Sequence, residues 1–212
     1  MKGSTHLAIG AAIGVASAAY YPFTFQNAAL YITVASFSAL SADLDGTSML
    51  SSKINKVSKL LRELLLWGGI LLAAAVVYLY FARDYFNVNL SAVAVMGFLI
   101  GFITKEGVMR NALVSAVGAA IIGAGWYWQL NWLMGFGLFI AWAPWLNHRG
   151  MTHTVWAIVI WGTIGYGLEN QIHVDGVMIV SVIGYASHLV ADTLTPAGVK
   201  WFYPISKKSI KI

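Results

Sequence analysis

Seven side chains in this sequence are of the kinds that bind divalent cations, and their local spacings suit that chemistry. His188 and Asp192 stand four apart, so on a helix they project from one face. His148 and His153 stand five apart across Arg149 and Gly150, a turn that can carry both imidazoles inward. Asp43 and Asp45 are two apart, a spacing that lets a turn offer two carboxylates to a cation. His6 is the seventh candidate. Imidazole mixed with carboxylate suits zinc, and also manganese or iron(II). The sequence has no cysteine, which excludes thiolate ligands, disulfides and cysteine nucleophiles. Seven groups exceed the four of one tetrahedral site, so one or two ions are expected. Two ions roughly 3.5–4 Å apart would grip both the attacking and the leaving oxygen of an ester.

These groups must be positioned by an unusually apolar chain. Of 212 residues, 59% are hydrophobic and 10% charged, and the mean hydropathy is +0.73. A soluble domain carries roughly 25% charged residues. Leu64 to Ala82 and Asn111 to Asn147 hold no charge at all. The expected fold is therefore all-α: a single integral membrane domain over residues 1–212, a polytopic bundle of about eight segments (six to eight). The segments are Leu7–Tyr21, Ala28–Ala42, Leu64–Ala82, Leu90–Thr104, Ala112–Trp128, Trp132–Leu146, Thr154–Leu168 and Gly176–Ala191. Several fall short of the roughly 20 residues that cross a bilayer as a helix, so some are expected to be tilted or re-entrant.

The net charge of +5 reads as orientation rather than nucleic-acid binding. If eight segments alternate from a cytoplasmic N-terminus, Lys2, Lys53, Lys56, Lys59, Arg62, Lys105, Arg110, Arg149, Lys200, Lys207, Lys208 and Lys211 fall inside, and only Arg83 falls outside. Both termini are then cytoplasmic, in a multi-pass membrane protein. Tyr20, Tyr21, Tyr80, Trp126, Trp128 and Trp132 gather near the outer interface as an aromatic belt. His173, Glu169 and Asp175 fall in an outer loop and read as solvated. Lys53 to Leu66 sets apolar against basic residues at helical spacing, as in a helix lying on the inner interface or a basic loop that fixes topology. Gly10 and Gly14 offer a close helix contact. Lys2 and Ala16-Ser17-Ala18 also fit a signal peptide, whose cleavage would remove His6.

This topology, built without the seven candidates, puts all of them at one depth on the inner side. Singly, each has a plainer reading: His6 as an interfacial residue, Asp43 and Asp45 as a helix stop with an Asp-Gly turn, Arg149 as a charge anchor. His188 inside an apolar helix is harder to read so, because ionisable groups in the membrane are costly and usually functional.

The strings His148-Arg149-Gly150-Met151-Thr152-His153-Thr154 and Ser187-His188-Leu189-Val190-Ala191-Asp192-Thr193-Leu194-Thr195-Pro196-Ala197-Gly198, with Thr5-His6 and Ser41-Ala42-Asp43-Leu44-Asp45, resemble the YdjM-type family of inner-membrane, metal-dependent hydrolases. The resemblance runs from residue 5 to about Pro204. It implies a prokaryotic membrane hydrolase similar to zinc-dependent phospholipases C. His6, Asp43, His148, His153, His188 and Asp192 would be its metal ligands, Asp45 the second acid of the pair and Arg149 the arginine of the HRG string. Thr154 stands where serine is frequent.

The function expected is hydrolysis of an ester or phosphoester in a membrane lipid or lipid-linked substrate at the cytoplasmic interface. Zinc-type ions would activate water, Asp45 would serve as general base, and Arg149 would bind phosphate or developing oxyanion charge. Two other classes fit the same residues: a cation transporter or channel, and a non-catalytic scaffold closed around a structural metal. Substrate, metal number and oligomeric state are not written in the sequence.

Overall fold

The computed structural model describes residues 1–46 and 48–212, and they are almost entirely helical. Eight α-helices follow one another: α1 (Gly3–Tyr20), α2 (Phe25–Ser41), α3 (Ser52–Arg83), α4 (Val88–Ile103), α5 (Glu106–Tyr127), α6 (Asn131–Trp142), α7 (Val155–Ile172) and α8 (Val177–Thr193). Short 3-10 turns occupy Ala42–Asp45, Ala143–Trp145 and Met151–His153. Among the described residues the β-structure is one isolated bridge, Val199 to Ile210. The all-α expectation stands. Two helices, Ser52–Arg83 and Gly107–Tyr127, are long and apolar enough to cross a membrane, and Val88–Ile103 and Val177–Thr193 are apolar but shorter. Large apolar side chains face outward along them: Leu71 is 70% exposed and Phe102 66%. Bare apolar surface of this kind suits hydrocarbon, not water.

The chain divides into two compact units, Met1–Ser51 with Val114–Ile212, and Ser52–Leu113. In the second, α3 packs along α4. The basic, amphipathic stretch of residues 53–66 is helical, as its spacing suggested, and not a loop; it forms roughly the first four turns of α3. Nothing interrupts it: residues 52–66 hold neither proline nor glycine, so the helix runs straight into the apolar span. At 1.5 Å per residue α3 is about 48 Å long, against roughly 30 Å of hydrocarbon, so its basic end extends past the apolar layer.

The first unit carries the candidate residues. Its central helix, α8, packs against α1, α2 and α7. Up to Leu189 the buried positions of α8 (Val177, Val180, Ser181, Gly184, Tyr185, His188, Leu189) recur every three to four residues, a single helical face, and in its last turn Ala191, Asp192 and Thr193 are all buried. His188 and Asp192 therefore lie on the packed side. Gly10 and Gly14 let α1 lie against the backbone of α2 at Ala35–Ser36 and Tyr31–Ile32, as their spacing suggested. Helix starts are fixed locally: Thr24 Oγ1 accepts from Asn27 N at 3.0 Å, and Thr154 Oγ1 accepts from Ala157 N at 3.4 Å. Glu169, expected in a solvated loop, accepts from Met178 N at 2.7 Å and so caps the start of α8.

Candidate metal centre

Four separate stretches meet at one end of this unit. His6 comes from the second turn of α1. Asp43 and Asp45 come from the 3-10 turn where α2 tightens and stops. His148 and Arg149 come from the loop after α6, and His153 from the 3-10 turn that leads into α7. His188 and Asp192 come from the last turns of α8. His6, His153, His188 and Asp192 are buried, at 2% exposure or less, while the His148 side chain is 55% exposed. All seven candidates thus belong to one neighbourhood, with His148 at its rim.

Hydrogen bonds fix which nitrogen His148, His153 and His188 present, whereas His6 has neither nitrogen anchored. His188 Nδ1 donates to the Ala39 carbonyl at 2.7 Å, so that nitrogen carries the proton and Nε2 is a bare lone pair. Thr152 Oγ1 donates its one proton to Asp45 Oδ2 at 2.6 Å. The same hydroxyl can then only accept from His153 Nδ1, 3.0 Å away, which again leaves Nε2 bare. His148 Nδ1 donates to Asp45 Oδ1 at 2.8 Å, with the same result. Metal-binding histidines are held in this way, one nitrogen anchored by a carboxylate or carbonyl and the other offered.

The bare nitrogens converge on carboxylates. His188 Nε2 lies 3.5 Å and His153 Nε2 3.7 Å from Asp43 Oδ1, and both lie 3.8 Å from Asp192 Oδ2. His6 Nε2 is 3.5 Å from Asp192 Oδ1, and its ring stacks on His188 with centroids 3.8 Å apart. These separations leave the Nε2 atoms of His6, His153 and His188 buried without a hydrogen-bond partner. They are close to the spacing of cation ligands, since bonds of 2.0–2.2 Å put the donors of a tetrahedral site about 3.4 Å apart. Bare Nε2 lone pairs of His153 and His188 facing carboxylate oxygens make an arrangement that a divalent cation would stabilise. The sets His153–His188–Asp192, His6–Asp43–His188 and Asp43–Asp45–His148 each bring three ligand atoms within 4.8 Å of one another, so these groups could hold a metal ion.

Asp45 has a different station. Its side chain is fully buried, and its two oxygens take donors from His148, from Thr152 and, at 3.1 Å, from the Arg149 backbone N–H. Burial works to raise its pKa, but the His148 hydrogen bond and the adjacent His153 and Thr152 outweigh this and hold it at about 2. The same bond raises the His148 pKa against the burial that lowers it. The bond to Asp45 also steadies Arg149 in the left-handed region, at φ 58°, which a non-glycine residue rarely adopts. The Arg149 guanidinium reaches Asp192 Oδ2 at 3.0 Å, the Gly198 carbonyl at 3.1 Å and Thr195 Oγ1 at 3.3 Å. Asp192 Oδ1 accepts from the Met1 amine at 2.6 Å. Above the cluster lies a polar cavity of about 300 Å³ walled by Asp43, Ser48, Met49, His148, Arg149 and Asp192.

Three participants were not singled out from the sequence. Thr152 relays between His153 and Asp45, and it lies inside the HRGMTH string, where a hydroxyl beside histidine was the available signal. The Ala39 carbonyl and the Thr195–Gly198 segment act through backbone position, which residue type does not reveal. No curated protein and no solved structure matches the chain. The sequence pattern of one family does match, over residues 1–212, and on that match the chain belongs to the family of YdjM inner membrane proteins.

Proposed function

We propose that this protein is a membrane-embedded, metal-dependent hydrolase of phosphoester bonds, working on a lipid or lipid-linked substrate at the cytoplasmic face. The observation that carries this reading is the set of anchored histidines: His148, His153 and His188 each donate through Nδ1 and turn Nε2 toward Asp43, Asp192 or the polar cavity. Asp43, His153, His188 and Asp192 would form the inner ligand set, with His6 beside them and His148 at the cavity. Zinc fits this mixture of imidazole and carboxylate, and manganese or iron(II) can use it too. A divalent ion held here would supply Lewis-acid activation of the ester and of water.

The chain's own groups supply the rest. Arg149, fixed by Asp192, Thr195 and Gly198, places permanent positive charge on the cavity wall, where a phosphate can lie against it. With both oxygens of Asp45 accepting hydrogen bonds, we assign it to orienting His148, Thr152 and Arg149 rather than to the general base expected from its place in the Asp-x-Asp pair. Asp43, whose side chain is 19% exposed at the cavity, is better placed to accept a proton from water. Beneath the cluster, Phe139, Trp161 and Tyr185 pack ring against ring at 5.0–6.2 Å. An aromatic layer there supports a dead-end site rather than a path for ions.

The test is elemental analysis of detergent-purified protein, followed by turnover of bis-p-nitrophenyl phosphate with and without chelator. Bound zinc, manganese or iron together with chelator-sensitive turnover lost in His188→Ala is the expected result. Metal-free protein, or turnover that survives in His188→Ala, overturns the proposal.

A further inference from the structure

The polar cluster is one end of a longer arrangement on the same helices. Deeper along α2, α7 and α8, with α6 as a fourth wall, lies an apolar cavity of about 160 Å³ lined by Val34, Phe37, Phe136, Trp161, Ile164 and Leu168. The two hydroxyls at its wall are satisfied within their own helices: Thr33 donates to Ala29 O and Ser181 to Met178 O, both at 2.7 Å. Trp161 and Ile164 form its buried floor, while Thr33 is exposed at its rim, so the cavity opens sideways from the helix bundle.

Three helical registers put this cavity at one depth. Phe37 precedes Asp43 by six residues, Ser181 precedes His188 by seven, and Trp161 follows His153 by eight. At 1.5 Å per residue these offsets are about 9, 10 and 12 Å. Because α2 and α8 run toward the cluster and α7 runs away from it, all three offsets point the same way. The apolar cavity thus lies roughly 10 Å along shared helices from the His–Asp cluster, on whose other side the polar cavity opens.

We propose that the apolar cavity seats the hydrocarbon chain of a phosphate-headed membrane lipid whose head lies in the polar cavity above the metal centre. The inference rests on the reading of that centre as a phosphoester site. Arg149 supplies the charge that an anionic head needs, and the apolar cavity supplies the complement for its chain. Among its lining residues Trp132 Nε1 is the one buried polar atom without a hydrogen-bond partner, too few for the roughly 2–4 partners that an ordered water needs, and the rest of the wall is apolar or internally satisfied. The sideways opening lets the chain enter from the bilayer without leaving hydrocarbon.

Photolabelling tests this. The protein is reconstituted in phosphatidylcholine vesicles containing phosphatidic acid with a diazirine-bearing acyl chain, and labelled peptides are mapped. A parallel set carries the diazirine on free fatty acid. Two matched variants decide the outcome: Thr33→Trp at the rim, and Thr163→Trp on an exposed face of α7 outside the cavity. Both threonines bond the carbonyl four residues earlier in their own helices, so the substitutions disturb the fold alike. Expected is labelling around Phe37 and Ile164 at least fivefold above that around Thr163, stronger for phosphatidic acid than for fatty acid, lost in Thr33→Trp and kept in Thr163→Trp. Even labelling of all exposed apolar faces, or labelling indifferent to Thr33→Trp or to the phosphate head, overturns the inference. Turnover of bis-p-nitrophenyl phosphate separates the two proposals. Missing cavity labelling with turnover intact removes the chain site alone, whereas intact labelling without turnover removes the hydrolase reading and leaves a lipid site.

Discussion

Replacing Asp45 by Asn separates the parts that a buried carboxylate beside a metal centre can play. Asp45 accepts three hydrogen bonds: one oxygen serves His148 Nδ1 at 2.8 Å, the other serves Thr152 Oγ1 at 2.6 Å and the Arg149 N–H at 3.1 Å. An asparagine of the same size offers one acceptor oxygen and one NH₂. If the NH₂ faces His148, that ring must turn its lone pair inward and carry its proton on Nε2. If it faces Thr152, the relay that keeps the proton on His153 Nδ1 is broken. Either placement spoils the anchor of one imidazole, His148 or His153, and leaves His188, Asp43 and Asp192 untouched. Losing such an orienting partner typically costs 10–100-fold in metal affinity, about 1.4–2.7 kcal/mol. The assay is competition for zinc between the detergent-purified protein and a chromophoric chelator. A 10–100-fold weaker site with unchanged stoichiometry is the expected result. Loss of an ion as complete as in His188→Ala would make Asp45 a ligand. Unchanged affinity with lost turnover would return it to the general base. Either outcome refutes the orienting role.

Three further outcomes follow from the same geometry. Stripping the protein with chelator should lower its thermal midpoint, and metal restored at 100 times its Kd should recover about 2.7 kcal/mol; a midpoint indifferent to metal would show that the cluster holds none. In the metal-free protein the depressed pKa of Asp45 contributes stability that is complete above about pH 4 and lost as pH falls toward 2. Denaturant titrations should show up to about 2 kcal/mol of that acid sensitivity in the wild type and less in Asp45→Asn. Gly14→Leu should destabilise by about 1–3 kcal/mol or more and weaken metal binding, because any Cβ there meets the Ile32 backbone and pushes α1, with His6, off α2. Gly123→Leu, where a Cβ meets nothing within 4 Å, should leave thermal unfolding unchanged.

What the sequence revealed, and what it did not, divides along a physical line. Helix number and type follow from apolar run length, and eight runs became eight helices. The helical spacing of residues 53–66 was legible and the loop alternative falls; that this stretch is continuous with the apolar run follows from the lack of backbone breakers between them. The ligand set was visible because imidazoles and carboxylates are rare in so apolar a chain, and charge distribution independently placed them on one side. The division of labour within the set was not visible. Asp43 and Asp45 are the same residue type two positions apart, yet one faces His153 and His188 across the cluster while the other is enclosed by donors. That difference arises from the rotation of a single 3-10 turn against a loop more than 100 residues later in the chain, a tertiary fact that local pattern does not carry.

The cluster also sets a balance between stability and function. A buried acceptor without a donor costs roughly 1–3 kcal/mol, and the Nε2 atoms of His153 and His188 are two such acceptors facing two carboxylates. Their summed cost, about 2–6 kcal/mol, is large beside the about 5–15 kcal/mol stability of an ordinary domain. The surrounding hydrogen bonds do nothing to relieve it. The Ala39 carbonyl and Thr152 take the Nδ1 protons of His188 and His153 and thereby hold both Nε2 lone pairs toward Asp43 and Asp192. A fold selected for stability alone would let His188 rotate, or would carry leucine at that position of α8, as it does one residue later at fully buried Leu189. Arg149 and the Met1 amine offset the charge of Asp192, but no donor reaches the two Nε2 lone pairs, and on the proposed reading a divalent cation would fill that place. The same frame leaves His148 and Arg149 lining the polar cavity.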